Sequence, residues 1–209
     1  LFEKKARKIF CFEKNFYICA NDCASFTIQF ALILNTHYMD TKKKIVVIGS
    51  SNTDMVIKSD RLPKPGETIL GGNFLMNHGG KGANQACACA LAGGDVTMLG
   101  AVGNDSYGTV LEKTLKECNV VPKLKYDDSV SSGCASILIE EEKHDNRIIV
   151  VPGANFSVTV DLVKDNISLL EEADIVITQL EIPMKTVEFI GKKCKELNKT
   201  FILNPAPGQ

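Results

Sequence analysis

Four short apolar runs, each followed directly by glycine or a polar residue, constrain the fold of this chain more than any other feature. They lie at residues 45–48, 96–102, 175–177 and 201–203. Continuous rather than alternating apolar runs are typical of strands buried on both faces, as in a parallel sheet. Segments with helical spacing separate them, at residues 79–92, 105–118, 162–170 and 183–197. This alternation predicts an α/β fold, in which helices cover both faces of a parallel sheet.

Shorter patterns outside these runs predict a second, smaller sheet. Residues 68–75 alternate in part, and residues 134–140 and 147–151 flank a charged turn as the strands of a hairpin do. Four core strands are few for an open parallel sheet, and the sequence stops soon after the last of them, in a strand-end loop. We therefore expect the chain to be the front part of a longer α/β protein.

The first forty residues differ sharply in composition from the rest. They contain none of the 16 Gly and none of the 7 Pro, and they begin with Leu1 rather than Met. We interpret residues 1–40 as a disordered or mis-joined segment ahead of a natural start at Met39, and residues 41–209 as the folded part. A targeting peptide is the alternative, because a Lys/Arg cluster at 4–8 precedes apolar residues at 24–34.

Charge and cysteine content limit the classes of partner. The 24 Lys and Arg nearly cancel the 25 Asp and Glu, for a net charge of -1, which excludes a globally basic protein that binds nucleic acid or a membrane surface. No run approaches the roughly 18 apolar residues of a membrane helix. Among eight cysteines, Cys87 and Cys89 form only a C-x-C pair, which favours neither a disulfide scaffold nor a zinc site. We expect reduced thiols, no metal ligands, no nucleic-acid or membrane partner, and a cytoplasmic location, with the nucleus as a second compartment.

Polar side chains gather where the predicted strands end. Asn52 and Asp54 follow the first apolar run, Glu181 follows the third, and a glycine-rich loop at 79–82 that includes Lys81 enters the first helix. In open parallel sheets, ligands bind at the carboxyl ends of the strands. The carboxylates accept hydrogen bonds, the ammonium donates them and the amide does both, a mixture that suits a polyhydroxylated ligand.

Each of these residues also has a plainer interpretation. Asp54 suits a turn or a helix cap, Glu181 suits the N-terminus of the next helix, and Lys81 suits a solvated surface. The glycine loop is harder to explain in this way, because three Gly in four positions are costly without a reason. It matches neither standard nucleotide loop, since Gly82 replaces the Ser/Thr of a Walker A motif and Gln85 replaces the third Gly of the dinucleotide motif.

Several longer motifs occur together along the chain. They are GSSNTD (49–54), LPKPGET (62–68), GGKGANQ (79–85), GAVGND (100–105), GAN (153–155), QLE (179–181) and NPAP (204–207). In this order they resemble the ribokinase/PfkB family of sugar kinases. The resemblance runs from about residue 43 to residue 209, and the GGKGANQ run with the downstream QLE and NPAP is its most specific part.

The resemblance implies a Rossmann-like α/β core with a small β-sheet lid, whose pieces are residues 55–78 and 133–152, and a homodimer formed through the lid. It implies transfer of phosphate from ATP to the 5-hydroxyl of D-ribose, with Mg2+ and with K+ as activator. Carried over by motif, the substrate-binding residues are Asn52, Thr53, Asp54, Gly80, Lys81, Gly82, Ala83, Asn84 and Glu181.

The resemblance also implies what the chain does not carry. In this family the catalytic base, most of the nucleotide pocket and the potassium ligands lie in the back half, so we expect no catalytic and no metal-binding residue before Gln209, and an inactive fragment. Two alternatives stay open. One is a sibling sugar or nucleoside kinase, although the lid stretch offers only Phe74, Leu75 and Met76 to enclose a base. The other is a non-catalytic ribose-binding form.

Overall fold

The structure, a computed structural model of the 209-residue chain, describes residues 9–13, 16–19 and 42–208. The strands are β1 (Ile9–Glu13), β2 (Phe16–Cys19), β3 (Lys44–Ile48), β4 (Asn52–Ser59), β5 (Phe74–Gly79), β6 (Asp95–Gly103), β7 (Val120–Asp127), β8 (Gly133–Glu140), β9 (Asp145–Val151), β10 (Ile175–Gln179) and β11 (Thr200–Asn204). The helices are α1 (Lys81–Leu91), α2 (Ser106–Glu117), α3 (Val160–Asp165), α4 (Ile167–Glu172) and α5 (Met184–Glu196), with a 3-10 helix at Gly153–Ser157.

The larger sheet has the strand order β1-β2-β11-β10-β3-β6-β7. Its strands β11, β10, β3, β6 and β7 are mutually parallel, which confirms the predicted α/β fold. Strand β7 was not predicted. It is an edge strand in which the exposed Lys123 and Lys125 alternate with the partly buried Pro122 and Leu124, so it lacks the continuous apolar run of a central strand.

Helices cover both faces of this sheet, as the apolar runs predicted. Along β3, the side chains of Ile45 and Val47 pack in one core with α1 and the end of α2. The side chains of Val46 and Ile48 point the other way and pack in a second core with the 3-10 helix, α3, α4 and α5. A strand buried on both faces needs apolar residues at every position, which is why the run is unbroken.

The smaller sheet has the order β5-β4-β8-β9, with β4 and β8 parallel and the outer strands antiparallel to them. The two segments expected to form lid pieces therefore pair with each other. The strand expected at 68–75 lies instead at Phe74–Gly79. Strand β4 was not predicted, because its polar start at Asn52–Asp54 has the composition of a loop.

Two short strands lie in the segment that we expected to be disordered or mis-joined. Strand β2 pairs in parallel with β11, and β1 pairs antiparallel with β2. Without β2, the outer edge of β11 would present unpaired backbone N–H and C=O groups. Strand β2 pairs with these groups. The rest of residues 1–40, including the expected start at Met39, lies outside the described residues. Within those residues, no helix combines the length and apolar character needed to cross a bilayer.

Candidate functional site

The first turn of α1 is capped by residues from two distant segments. Gly80 precedes the helix and provides no side-chain cap. Instead, the N–H of Lys81 donates to Oε2 of Glu181 at 2.9 Å, and the N–H of Gly82 donates to Oγ of Ser50 at 3.3 Å. The N–H of Ala83 donates to the carbonyl of Ser50 at 2.9 Å. The N–H groups that a helix start leaves unpaired are thus satisfied by the loops after β3 and β10.

Glycine is required where this turn meets the loop after β3. Gly80 has φ of 87, in the region that side chains rarely adopt, and a Cβ there would lie 2.8 Å from the backbone N of Asn52. A Cβ on Gly82 would lie 2.5 Å from the backbone N of Ser50 and 2.6 Å from its carbonyl oxygen. The glycine loop therefore lets two backbones approach each other, which explains its composition.

Glu181 joins the loop after β10 to the same place. The hydroxyl of Ser50 donates to its Oε2 at 2.5 Å, in addition to the N–H of Lys81. A carboxylate is favoured at a helix N-terminus by the helix dipole. The sequence allowed this role at the next helix, α5, whereas the structure shows it at α1. The second oxygen, Oε1, has no hydrogen-bond partner within the described part of the chain and is open to a ligand.

Asp54 stands beside Glu181 and Lys81. It lies on β4, and its carboxylate packs against Gly79, where any Cβ would overlap it. Burial raises the pKa of Asp54 above its ordinary value of 3.8, the negative charge of Glu181 raises this pKa further, and the ammonium of Lys81 lowers it. The structure thus brings together three charged side chains that the sequence predicted as site residues.

Asn52 is held by a residue to which the sequence gave no role. The Nδ2 group of Asn155, in the 3-10 helix, donates to Oδ1 of Asn52 at 2.7 Å, and Oδ1 of Asn155 accepts from the N–H of Ser51 at 2.9 Å. Ser50 and Asn155 are therefore residues of the candidate site that sequence reasoning missed. The only signal was their presence in the GSSNTD and GAN motifs.

The remaining predicted residues lie around this centre in different ways. Thr53 alternates with Asn52 and Asp54 along β4, so its buried side chain points to the opposite face of the small sheet. The methyl group of Ala83 packs against the core under α1. Asn84 is exposed one turn beyond Lys81, on the same side of α1. The structure therefore favours Asn84, rather than Thr53 or Ala83, as a side chain at the site.

Comparison with known proteins agrees with this geometry. The family model described as pfkB family carbohydrate kinase matches residues 42–209. Ribokinase from Bacillus subtilis (strain 168) is 43% identical over 170 residues, which are 80% of this chain and 57% of that protein. Ribokinase from Mus musculus is 38% identical over 165 residues, or 78% of this chain and 50% of that protein.

A solved structure shows the same likeness. The structure of Arabidopsis thaliana ribokinase complexed with ribose and ATP superimposes with a TM-score of 0.73 at 30% identity, covering 79% of this chain and 54% of that one. The chain belongs to the pfkB family of carbohydrate kinases, as its motifs indicated. It spans about half the length of the curated ribokinases that it matches.

The tight packing of Gly82 can be tested by a Gly82→Ala substitution. At an unconstrained helical position alanine is more stable than glycine by about 1 kcal/mol. Here we expect the opposite sign, a loss of about 1–3 kcal/mol in the free energy of unfolding, because the new methyl group would overlap the Ser50 backbone. The measurement is urea denaturation. Gly72→Ala is the control, since its Cβ would lie no closer than 3.7 Å to any other group. Equal stability of Gly82→Ala and the unsubstituted chain would contradict the packing.

The raised pKa of Asp54 makes a prediction about pH. A group whose pKa is raised by folding stabilises the folded state only while protonated, so its contribution is lost as pH rises through the raised pKa. We expect Asp54→Asn to be more stable than the unsubstituted chain at neutral pH, with the difference vanishing below the ordinary value of 3.8. Urea denaturation across this range measures it, with Asp60→Asn at an exposed position as control. Lower stability of Asp54→Asn at neutral pH would disprove it.

Proposed function

We propose that this chain carries the sugar-binding half of an ATP-dependent kinase that converts D-ribose to ribose 5-phosphate. The observation that carries the proposal is the convergence of Asp54, Lys81 and Glu181 on one glycine floor at the carboxyl end of the sheet. In this proposal the amide of Asn52 and the carboxylate of Asp54 bind ribose hydroxyls. The backbone of Gly80 and Gly82 allows the sugar to come close.

The chemistry of the site supports a sugar rather than an apolar ligand. Oε1 of Glu181 is an acceptor, Asp54 is an acceptor, and Nζ of Lys81 is a donor, so adjacent hydroxyl groups find partners of both kinds. Such a site selects its ligand because a sugar that lacks one hydroxyl leaves a polar group of the protein unpaired. The similar ribokinases, one of them complexed with ribose and ATP, support ribose as that sugar.

ATP enters the proposal through the resemblance and through the similar ribokinase complexed with ribose and ATP, whereas the ions enter it through the resemblance alone. ATP, Mg2+ and K+ are the proposed co-substrate and ions. Within the described residues, no group of three or more His, Cys, Asp or Glu side chains is placed to hold a metal ion. The resemblance implies that the catalytic base and the potassium ligands of this family lie in its back half, so we assign no step to a metal and no catalytic residue to this chain. Its own residues bind and orient the sugar, and phosphoryl transfer depends on such positioning together with charge stabilisation.

The proposal further places the protein in the cytoplasm, with the nucleus as a second compartment. This location is supported by five cysteines that are free thiols, namely Cys87, Cys89, Cys118, Cys134 and Cys194. Free thiols persist in reducing compartments.

Calorimetry with D-ribose tests the sugar site directly. We expect the chain to bind ribose, and Asp54→Ala to weaken binding by about tenfold or more, because a hydrogen bond to a charged group is lost. Asp60→Ala, at an exposed position on the same segment, is the matched control. Titrations with 2-deoxyribose, fructose and adenosine separate ribose from the substrates of sibling kinases.

A phosphorylation assay tests whether these 209 residues transfer phosphate on their own. Ribose and ATP are incubated with the chain, and ribose 5-phosphate is measured. We expect binding without turnover by these 209 residues. Turnover would show that they contain the complete catalytic machinery, and absence of ribose binding would overturn the proposed function.

We also propose that the small sheet forms a homodimer contact. Its two outer strands expose large apolar side chains, including Phe74 and Leu75 on β5 and Ile148 and Ile149 on β9. Large apolar side chains exposed on a sheet are one mark of an interaction surface.

The dimer can be tested by light scattering during gel filtration. We expect the unsubstituted chain to have the mass of a dimer and Ile149→Lys to have that of a monomer, because a buried unpaired charge opposes association. Leu91→Lys introduces the same charge at an exposed position on α1 and should leave the dimer intact. A monomeric unsubstituted chain would contradict the contact.

A further inference from the structure

Two strands of the small sheet and the 3-10 helix meet at one buried point beside the candidate site. They are the start of β4 at Asn52, the start of β8 at Gly133, and the 3-10 helix after β9 at Asn155, whose side chain is only 1% exposed. A Cβ on Gly133 would overlap the side-chain amides of both asparagines. The absence of a side chain at 133 is what allows these two amides to face each other.

The direction of the hydrogen bonds at this point is fixed by the backbone. The N–H of Ser51 can only donate, so the atom of Asn155 that faces it at 2.9 Å must be the oxygen Oδ1. The Nδ2 group of Asn155 must then face Asn52, and it can only donate. The atom of Asn52 that receives it at 2.7 Å must therefore be Oδ1.

The side-chain N–H groups of Asn52 remain available to a ligand. Its Oδ1 atom already accepts from Asn155, whereas its Nδ2 group has no hydrogen-bond partner in the part of the chain that the structure describes. Asn52 and Asp54 point to the same face of β4 because side chains alternate along a strand. Asn52 therefore presents two N–H donors beside the acceptor carboxylate of Asp54.

We propose that Asn155 is a positioning residue that fixes Asn52 as a hydrogen-bond donor to the sugar. This inference rests on the proposed function, and it adds a specificity element to it. The sugar oxygen next to Asn52 must act as an acceptor, while the hydroxyl next to Asp54 must act as a donor. Asn155 does not touch the sugar and acts only through the amide of Asn52.

The variant Asn155→Asp tests this role with little change in shape. Its carboxylate can still accept from the N–H of Ser51, but it cannot donate to Asn52. The amide of Asn52 then rotates to donate to the new carboxylate and turns its oxygen toward the sugar. We expect the dissociation constant for D-ribose to rise by about tenfold or more, because the sugar hydroxyl no longer accepts from Asn52 and must turn its proton away from its other partner to donate to the Asn52 oxygen.

The matched control is Asn166→Asp, at the junction of α3 and α4. The Nδ2 group of Asn166 also makes a structural hydrogen bond, to the carbonyl of Leu162 at 2.9 Å. We expect this substitution to lower the free energy of unfolding without changing the affinity for ribose. A loss of affinity in both variants would reveal a general loss of structure and would overturn the specific role of Asn155.

A double-mutant cycle separates a positioning role from a merely structural one. Asn52→Ala removes the group through which Asn155 acts, so in that background Asn155→Asp should change the affinity by less than about twofold. Independent, multiplying losses would overturn the proposal. Calorimetry measures all four affinities, and urea denaturation confirms that each variant is folded.

A measurement without sugar keeps this inference distinct from the proposed function. Nuclear magnetic resonance detects scalar coupling across a hydrogen bond, and we expect coupling between Nδ2 of Asn155 and Cγ of Asn52. The reverse coupling, from Asn52 to Asn155, would overturn the assigned direction. Absence of ribose binding by the unsubstituted chain would overturn the proposed function itself, whereas ribose binding that Asn155→Asp leaves unchanged would overturn only the role of Asn155.

Discussion

The close contact between the first turn of α1 and the loop after β3 is the constraint on which the site depends. Gly80 and Gly82 bring the helix start onto the backbone of residues 50–52, and the same approach lets Ser50 and Glu181 satisfy the N–H groups of that turn. Moving the turn outward by the width of a methyl group would break these bonds together. Helix α1, which begins in the glycine loop, therefore also determines where the charged side chains of the site lie.

The nearby carboxylates of the site repel each other, and contacts with cations, hydroxyls and N–H groups offset this repulsion. Asp54 and Glu181 are two carboxylates near each other, and the first is also partly removed from water, so its ionised form is disfavoured. Lys81 acts in the opposite sense, and Glu181 gains from the helix N-terminus and from Ser50. Such tension between stability and ligand binding is typical of functional sites. It explains why the second carboxylate stands at a helix start rather than in an open loop.

The fold was predictable where a single segment carries the pattern. Buried strands such as β3 need apolar residues at every position, so their sequence reveals them. Strand β7 lies at an edge and has Lys123 and Lys125 at every second position, so its sequence does not reveal a strand. Asp54 and Glu181 could be placed in the site because strand ends meet at one edge of a parallel sheet. The role of Asn155 could not, because it depends on a partner 103 residues away that no local pattern announces.

The close backbone packing at Gly80 and Gly82 limits how the candidate site can be redesigned. A Cβ at Gly80 or Gly82 would overlap the neighbouring backbone, so substitutions at these two positions are expected to lower the stability of the fold. Positions on the rim, such as Asn84, are free of this restriction because they project into solvent. Substitutions at such exposed positions leave the packing at Gly80 and Gly82 unaltered and are therefore the first choice for changing ligand preference.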